Sequence, residues 1–128
     1  MLCPDHPTYM MVGTATRFGT RFSCPVDGCT VVAWSGSTST PANKETRAAR
    51  MAAHILFDPL WKQELKFKKR DRRTSAYRWL ASMMDVAFDD AHIGYFSEEQ
   101  CSRLIVLLRD EYARLGLAIP QGRVNSVR

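Results

Sequence analysis

The sequence predicts an α+β protein, in which a small N-terminal ribbon of about three short strands packs on three or four α-helices. Two close pairs of metal-ligating residues lie within the first 34 positions, on either side of strand-length segments. From about residue 40 onward, apolar residues recur at helical spacing and helix-start signals precede them. We therefore assign residues 1–36 to the ribbon module, 40–117 to a helical region and 118–128 to a flexible tail.

The two pairs of ligating residues indicate a metal site. They are Cys3-Pro4-Asp5-His6 and Cys24-Pro25-Val26-Asp27-Gly28-Cys29, and 17 residues separate them. Zn²⁺ prefers thiolate sulfur and imidazole nitrogen, and a structural site takes all four ligands from the protein. Each short pair can fold into a tight knuckle, and Gly28 provides the φ freedom that the second knuckle needs. We predict a tetrahedral zinc site with the ligands Cys3, His6, Cys24 and Cys29.

Two disulfides, or ordinary buried thiols, are the alternative interpretation of the cysteines. Disulfides need cysteine pairs and an oxidising compartment. The fourth cysteine, Cys101, lies far away in a helical pattern, and no secretory signal opens the chain. No apolar run reaches transmembrane length. We therefore expect reduced cysteines that bind zinc structurally, in a cytoplasmic protein.

The strands are predicted from β-branched and aromatic residues. We expect strands at Thr8–Val12, Ala15–Ser23 and Thr30–Trp34, with Gly13 as a turn. The expected core of this module is thin, and it consists of Phe22, Val31, Val32 and Trp34 with part of the strand at Tyr9–Val12. Modules this small rarely fold unaided, so zinc binding should supply the missing stability.

The first helices follow a polar hinge at residues 35–39. Thr40 and Pro41 are read as the N-cap and first position of a helix that runs to about Phe57. Its expected apolar stripe is Ala48, Ala52, Ile55 and Leu56. Asp58-Pro59 repeats the same start signal, which predicts a second, short helix carrying Leu60 and Trp61.

The later helices have clearer signals. A helix is expected from about Thr74, and its stripe contains Ala76, Tyr77, Leu80, Ala81 and Met84. A connector at residues 85–96 follows. Ser97 and Gln100 form the pattern of a capping box, and Gly116 is the expected C-cap. The apolar stripe between them is Cys101, Leu104, Ile105, Leu108, Tyr112 and Leu115.

Positive charge is concentrated in the middle of the chain. The net charge is +5, but residues 41–80 alone carry eleven Lys and Arg against four acidic residues. Its most basic part, which we call the basic segment, contains Lys62, Lys66, Lys68, Lys69, Arg70, Arg72 and Arg73. These residues could neutralise phosphates of a nucleic acid, with Phe67 or Trp61 available for base stacking. The alternative is a solvated linker without a partner.

A second metal or catalytic site is the other hypothesis that the residues raise. His54 and His92 could combine with Cys101 and with Asp89 or Asp90. We expect instead that His54 packs on its helix, that His92 holds a loop, and that Cys101 is a small buried hydrophobic residue. No coherent set of ligands with a general base is visible, so we do not expect an enzyme.

The chain resembles a family of phage-encoded proteins with a zinc-finger-containing domain, for which no biochemical function is assigned. The resemblance rests on the paired knuckles and on three further stretches, which are Arg47–His54 leading into Phe57–Trp61, Arg73 with Ala76–Ala81, and His92–Phe96 followed by Cys101. His6 stands where the family more often has cysteine. The resemblance implies a small phage protein acting in the bacterial cytoplasm, and it implies no reaction.

These observations together predict a zinc-stabilised, non-enzymatic binding protein that contacts nucleic acid through residues 62–73. A protein-interaction module that binds and modulates a host or phage protein is the alternative. An exposed apolar patch around Trp61, Trp79 or Phe96 would favour that alternative.

Overall fold

The order of secondary-structure elements follows the predicted α+β class. In the computed structural model, which describes residues 1–121, a three-stranded antiparallel sheet is followed by three α-helices. The elements are β1 (Val12–Thr16), β2 (Gly19–Ser23), β3 (Val32–Trp34), α1 (Lys44–Lys62), α2 (Arg72–Met84) and α3 (Glu98–Leu115).

The chain forms two compact units, Met1–Ala48 and a second unit that begins at Ala49. Of the predicted tail, residues 122–128 lie outside the described part of the chain. None of the described helices is long and apolar enough to cross a membrane.

The sheet is a hairpin with a third strand added to β2. Thr16 is opposite Gly19 in the β1–β2 pair, so Arg17 and Phe18 form a two-residue turn. Gly19 follows with a φ of +112°, a conformation that favours glycine. The predicted turn at Gly13 and the predicted strands at residues 8–12 and 15–23 are therefore wrong. Gly13 lies within β1, and the real turn divides the predicted second strand.

The core of the first unit contains cysteines as well as ordinary apolar residues. Its buried members are Cys3, Met11, Cys24, Val31 and Ala33, and Phe22 packs against them. Trp34, predicted to be in the core, is 39% exposed. Side chains alternate along β3, so Val31 and Ala33 share the inner face and Val32 and Trp34 the outer one. On that outer face Val32 is covered, and its backbone pairs with Ala42.

Helix α1 begins later than predicted. Ala42 is held in extended pairing with Val32, with N–O distances of 3.0 and 3.2 Å, so the helix cannot start at Thr40 and Pro41. Asn43 takes the capping role instead, because its Oδ1 accepts a hydrogen bond of 2.8 Å from the backbone N–H of Thr46.

Helix α1 also continues through Asp58-Pro59, so the predicted second helix start is wrong. Proline removes one backbone donor from the helix interior. Phe57 and Leu60, which flank the Asp58-Pro59 pair, are fully buried, and this burial favours continuation of the helix. Asp58 does not act as a helix cap. Its carboxylate lies 3.2 Å from His54 and 3.6 Å from Lys62, one turn away in each direction.

The buried face of α1 differs from the predicted stripe. Ala53, Leu56, Phe57 and Leu60 are buried, whereas Ala48 and Ala52 are exposed. The prediction ended this helix at about Phe57 and assigned Leu60 to a separate helix. Leu60 was therefore missing from the predicted buried face of α1. Arg50 is buried on this helix as well, and its Nε donates a hydrogen bond of 2.9 Å to the carbonyl of Phe96.

The remaining helices agree with their predicted signals. In α2 the predicted residues Ala76, Leu80, Ala81 and Met84 are buried. The connector at residues 85–96 contains two short 3₁₀ turns. The capping box of Ser97 and Gln100 and the left-handed C-cap at Gly116 are confirmed. The buried side of α3 is Cys101, Leu104, Leu108 and Tyr112, and the Tyr112 hydroxyl donates to the carbonyl of Leu56 at 2.7 Å.

A buried ion pair anchors the chain between α1 and α2. Lys66 Nζ lies 2.8 Å from Glu111 Oε2 on α3, and the two side chains are only 19% and 10% exposed. Arg114 also donates to Glu111, one helical turn away. The hydrogen bonds from Arg114, and then those from Lys66, hold the pKa of Glu111 down to about 2 against the opposing effect of burial.

We predict that Glu111 makes the second unit sensitive to acid. The folded pKa lies below the ordinary value of 4.5, so its stabilisation is present above pH 4.5 and is lost as the pH falls towards 2. The free energy of unfolding of the wild type should exceed that of Glu111→Gln at pH 7. This advantage should shrink by about 1–2 kcal/mol at pH 3. Urea unfolding followed by circular dichroism measures both values.

The control is Asp110→Asn, which removes an exposed carboxylate from the neighbouring position of the same helix. Its difference from the wild type should change little between pH 7 and pH 3. A Glu111→Gln difference that is the same at both pH values would contradict the role of this ion pair.

Candidate metal centre and basic segment

The first knuckle is built from three backbone hydrogen bonds. The N–H of His6 donates to the carbonyl of Cys3 at 3.2 Å, and the N–H of Tyr9 donates to the carbonyl of His6 at 2.9 Å. The N–H of Cys3 donates back to the carbonyl of Tyr9 at 3.0 Å. These bonds fold residues 3–9 onto themselves, so the imidazole of His6 lies beside the buried sulfur of Cys3.

The second knuckle has a similar backbone turn and an additional bond to sulfur. The N–H of Cys29 donates to the carbonyl of Val26 at 3.0 Å, and the N–H of Val26 lies 3.4 Å from Cys24 Sγ. Gly28 has a φ of +80°, as its position before the last ligand predicts. An N–H that points at sulfur favours the thiolate, which is the form of cysteine that binds metals.

The two knuckles bring the four predicted ligands together. Their ligand atoms all lie within 4.8 Å of one another. Cys3 Sγ is 3.8 Å from Cys29 Sγ and 3.9 Å from His6 Nδ1, and Cys24 Sγ is 3.6 Å from the same nitrogen. With zinc–sulfur bonds of about 2.3 Å, ligands at the corners of a tetrahedron are about 3.8 Å apart. The cluster is therefore suited to a tetrahedral metal ion, with His6 binding through Nδ1.

The electrostatics of the cluster also favour a cation. Burial, and then the nearby sulfurs of Cys29 and Cys3, raise the pKa of Cys24 to about 11, although the N–H of Val26 opposes this rise. Burial also acts to raise the pKa of Cys3, but hydrogen bonds, first of all with His6, bring it to about 7. Three thiolates cannot share so small a volume without a compensating positive charge. A dication held by the four ligands would supply that charge.

The residues of the hypothesised second site do not come together. His54 pairs with Asp58 on α1, whereas His92 is exposed and its ring contacts Tyr95 with centroids 4.7 Å apart. Cys101 is fully buried, and burial raises the pKa of its thiol. Within residues 1–121, the knuckle ligands form the only group of three or more His, Cys, Asp or Glu side chains close enough to hold one metal ion.

The seven cations of the basic segment are in different environments. Lys62 and Lys66 form ion pairs with Asp58 and Glu111. Lys68, Lys69 and Arg70 are exposed in the irregular chain between α1 and α2, and no ion pair involves them in the described residues. Arg72 and Arg73 open α2.

The aromatic residues of the segment are already engaged within the protein. Lys62 and Arg73 lie over the ring of Trp61 at 5.5 and 5.7 Å from its centroid. Phe67 meets Trp79 edge to face, with centroids 5.8 Å apart, and Lys66 lies over both rings. These cation–π contacts place aromatic and positive groups side by side. A nucleic-acid base could stack on Trp61 only where the two cations leave its ring open.

A small antiparallel sheet that carries a Cys₃His cluster defines a zinc-finger type of domain. The chain belongs to the zinc-finger-containing domain family, whose model matches residues 8–111. The matched range includes Cys24 and Cys29 and begins after Cys3 and His6. No significant match was found among curated proteins or among solved structures.

Two contacts that support these sites could not be predicted from the sequence. Asn43 donates through its side-chain amide to Asp5 at 3.0 Å, which joins the first knuckle to the residue that caps α1. Glu111 anchors Lys66 across 45 positions of sequence. Neither contact has a local signature, because the partners are distant in sequence. Only the capping preference of Asn43 could have been recognised from the sequence.

We predict that Gly28→Ala weakens the second knuckle through backbone strain alone. No atom lies within 4 Å of the added Cβ, but a φ of +80° is unfavourable for alanine. The cost should be about 1–2 kcal/mol of ribbon stability, and Gly28→Asn should lose less because asparagine tolerates this conformation better. Thermal unfolding followed by the amide NMR signals of residues 12–34 tests the order Gly, Asn, Ala. Equal stability of all three proteins would contradict it.

Proposed function

We propose that this protein is a zinc-stabilised, non-enzymatic binding domain that contacts nucleic acid through the basic segment. The observation that carries the proposal is the run of three consecutive exposed cations, Lys68, Lys69 and Arg70, which form no ion pair in the described residues. In keeping with the family resemblance, we propose that it acts as a phage protein in the bacterial cytoplasm.

The proposed role of zinc is structural. Cys3 and Cys24 are buried members of the core of the first unit, so ligation would join the two knuckles at the centre of that core. A unit with so few ordinary apolar core residues needs an additional source of stability. Four protein ligands complete a tetrahedral shell and leave no position for a substrate, so the site supports folding rather than catalysis.

The proposed role of the basic segment is electrostatic. Phosphate neutralisation by Lys and Arg releases counterions and provides affinity that does not depend on base sequence. The Lys66–Glu111 pair fixes one point of the segment, and the start of α2 fixes its end. Lys68, Lys69 and Arg70 lie between these two points. The segment is thus held in place while its central charges remain exposed.

Protein interaction is the second candidate function, but through a different surface from the one first expected. Phe96 is fully buried, and Trp61 and Trp79 are half-buried, so they do not form the exposed patch that the sequence indicated. Exposed large apolar side chains occur elsewhere in both units, and those of the first unit include Leu2, Tyr9, Met10, Val12, Phe18 and Trp34. Exposed apolar residues of this kind favour a partner protein where they form a continuous patch.

We predict one zinc ion per chain, bound through the knuckle ligands. Zinc-finger peptides gain roughly 10–16 kcal/mol of apparent free energy from the metal. A strong chelator should therefore abolish the dispersed amide signals of residues 1–34 and leave the helical signal of the second unit. Elemental analysis and NMR spectra before and after chelation measure both effects.

Cys29→Ser and Cys101→Ala form a matched pair for this test. Cys29 belongs to the ligand cluster and is half-buried, whereas Cys101 is buried in the second unit and is not a member of the cluster. Cys29→Ser should lose stoichiometric zinc, and Cys101→Ala should keep it even if its second unit is less stable. Zinc-free wild-type protein, or full zinc binding by Cys29→Ser, would refute the metal assignment.

We predict salt-dependent binding of short oligonucleotides. Simultaneous reversal of Lys68, Lys69 and Arg70 to glutamate should weaken binding about tenfold or more near 0.1 M salt. It should also reduce the slope of log affinity against log salt by about 2–3, since each phosphate contact contributes about 0.9. Fluorescence anisotropy across a salt series, with several sequences, measures the effect, which should be similar for all of them.

The control reverses Arg17, Arg103 and Arg109, which are also exposed and give the same change in net charge. If both triple variants lose the same affinity, only total charge matters and the basic segment is not the contact surface. Unchanged affinity in the Lys68, Lys69 and Arg70 variant would also show that the basic segment is not the contact surface.

A further inference from the structure

The basic segment folds around a cleft that its charge pattern alone does not predict. The cleft has a volume of about 360 Å³ and is lined by residues between Lys66 and Ser75, all in the second unit. This volume lies within the range of about 300–1,000 Å³ that is common for small-molecule sites. The cleft is therefore large enough to hold a discrete group, and its lining determines which one.

The lining has an excess of positive charge. Its ionisable side chains are Lys66, Lys68, Lys69, Asp71 and Arg72. Glu111 already balances Lys66, so the other cations exceed Asp71 by two positive charges. A phosphomonoester carries a charge of about −1.5 to −2 near neutral pH and has three acceptor oxygens. An internal phosphodiester carries only one negative charge, so the cleft matches a terminal phosphate better.

Arg72 supplies an independent observation. Its Nε is buried and has no hydrogen-bond partner, one of two such side-chain atoms in residues 1–121. A buried donor without an acceptor is unfavourable, and an oxyanion in the cleft can provide the acceptor after a small movement of the guanidinium. The planar fork of arginine donates two parallel hydrogen bonds to phosphate, which lysine cannot do.

The start of α2 adds one further side-chain donor, the hydroxyl of Ser75, and the positive end of a helix to the same place. Arg72 is the first residue of this 13-residue helix, and the side chain of its N-cap, Asp71, makes no capping hydrogen bond. The first-turn hydroxyl of Ser75 also lines the cleft. The positive end of a helix favours anions. The ring of Phe67 forms an apolar wall beside these donors.

We propose that this cleft binds a phosphomonoester, with Arg72 as its principal ligand, and that the phosphate is the terminal phosphate of a nucleic-acid strand. The second part rests on the proposed nucleic-acid function, whereas the first part does not. A free nucleotide has the same terminal phosphate, and the experiment separates these two sources. The site would give the protein a preference for phosphorylated ends over continuous strand.

The test uses the full chain and one short single-stranded oligonucleotide with either a 5′-phosphate, a 3′-phosphate or only hydroxyl ends. Competition anisotropy at constant ionic strength gives the ratio of affinities. The wild type should prefer at least one phosphorylated form by roughly fivefold or more. In Arg72→Gln the two affinities should differ by less than twofold. Arg72→Lys should retain only part of the wild-type preference. Arg109→Gln removes an exposed arginine outside the cleft and should keep the full preference.

A second measurement makes the outcome independent of strand binding. Adenosine monophosphate and inorganic phosphate are titrated against ¹⁵N-labelled wild type and Arg72→Gln. Saturable shifts at residues 66–75 that vanish in the variant support the cleft as a phosphomonoester site.

If these shifts occur but no strand binds, the ligand is a free nucleotide and the nucleic-acid function is refuted. Salt-dependent strand binding without end preference and without these shifts overturns the cleft proposal but leaves the nucleic-acid function standing. If strand binding, end preference and the shifts at residues 66–75 are all absent, both the cleft proposal and the nucleic-acid function are overturned.

Discussion

The four donor atoms of the first unit impose the constraint on which the rest of that unit depends. They lie within 4.8 Å of one another, and two of the residues that carry them, Cys3 and Cys24, are also members of its small buried core. Packing and coordination therefore use the same side chains. A cluster of three thiols and an imidazole is unfavourable when fully deprotonated and unshielded, yet deprotonation is what a metal requires. We therefore expect folding of the ribbon to be coupled to the binding of a cation.

The sequence predicted best those features whose cause is local. The knuckles were found because four to six successive residues determine each turn. Helix α3 was found because Ser97, Gln100 and Gly116 carry its capping signals in or directly beside the helix. The strands were predicted less well. The turn at Arg17 and Phe18 contains no glycine, proline or asparagine, and its only local signal, Gly19, comes after it. The exposed phenylalanine in that turn resembled a strand residue.

The errors in α1 have a long-range cause. Thr40-Pro41 and Asp58-Pro59 both have the composition of a helix start, and local propensity alone cannot reject either. The first fails because Ala42 pairs with Val32, and the second because Phe57 and Leu60 are both buried, on either side of the proline. Burial of two large side chains outweighs the loss of one backbone hydrogen bond.

The basic segment shows how the same residue types acquire different roles. In the sequence its seven cations were equivalent. In the structure, Lys66 pairs with Glu111 and is 19% exposed, and Lys62 and Arg73 lie over Trp61. Lys68, Lys69 and Arg70 are exposed, and no ion pair involves them in the described chain. This ion pair is costly to break, because removing either partner leaves the other charge largely buried and unpaired. Its effect is to fix position. By fixing Lys66 at one wall of the cleft, Glu111 determines where the remaining charges lie. The geometry of any phosphate site in this segment therefore depends on a carboxylate that cannot itself contact the phosphate favourably.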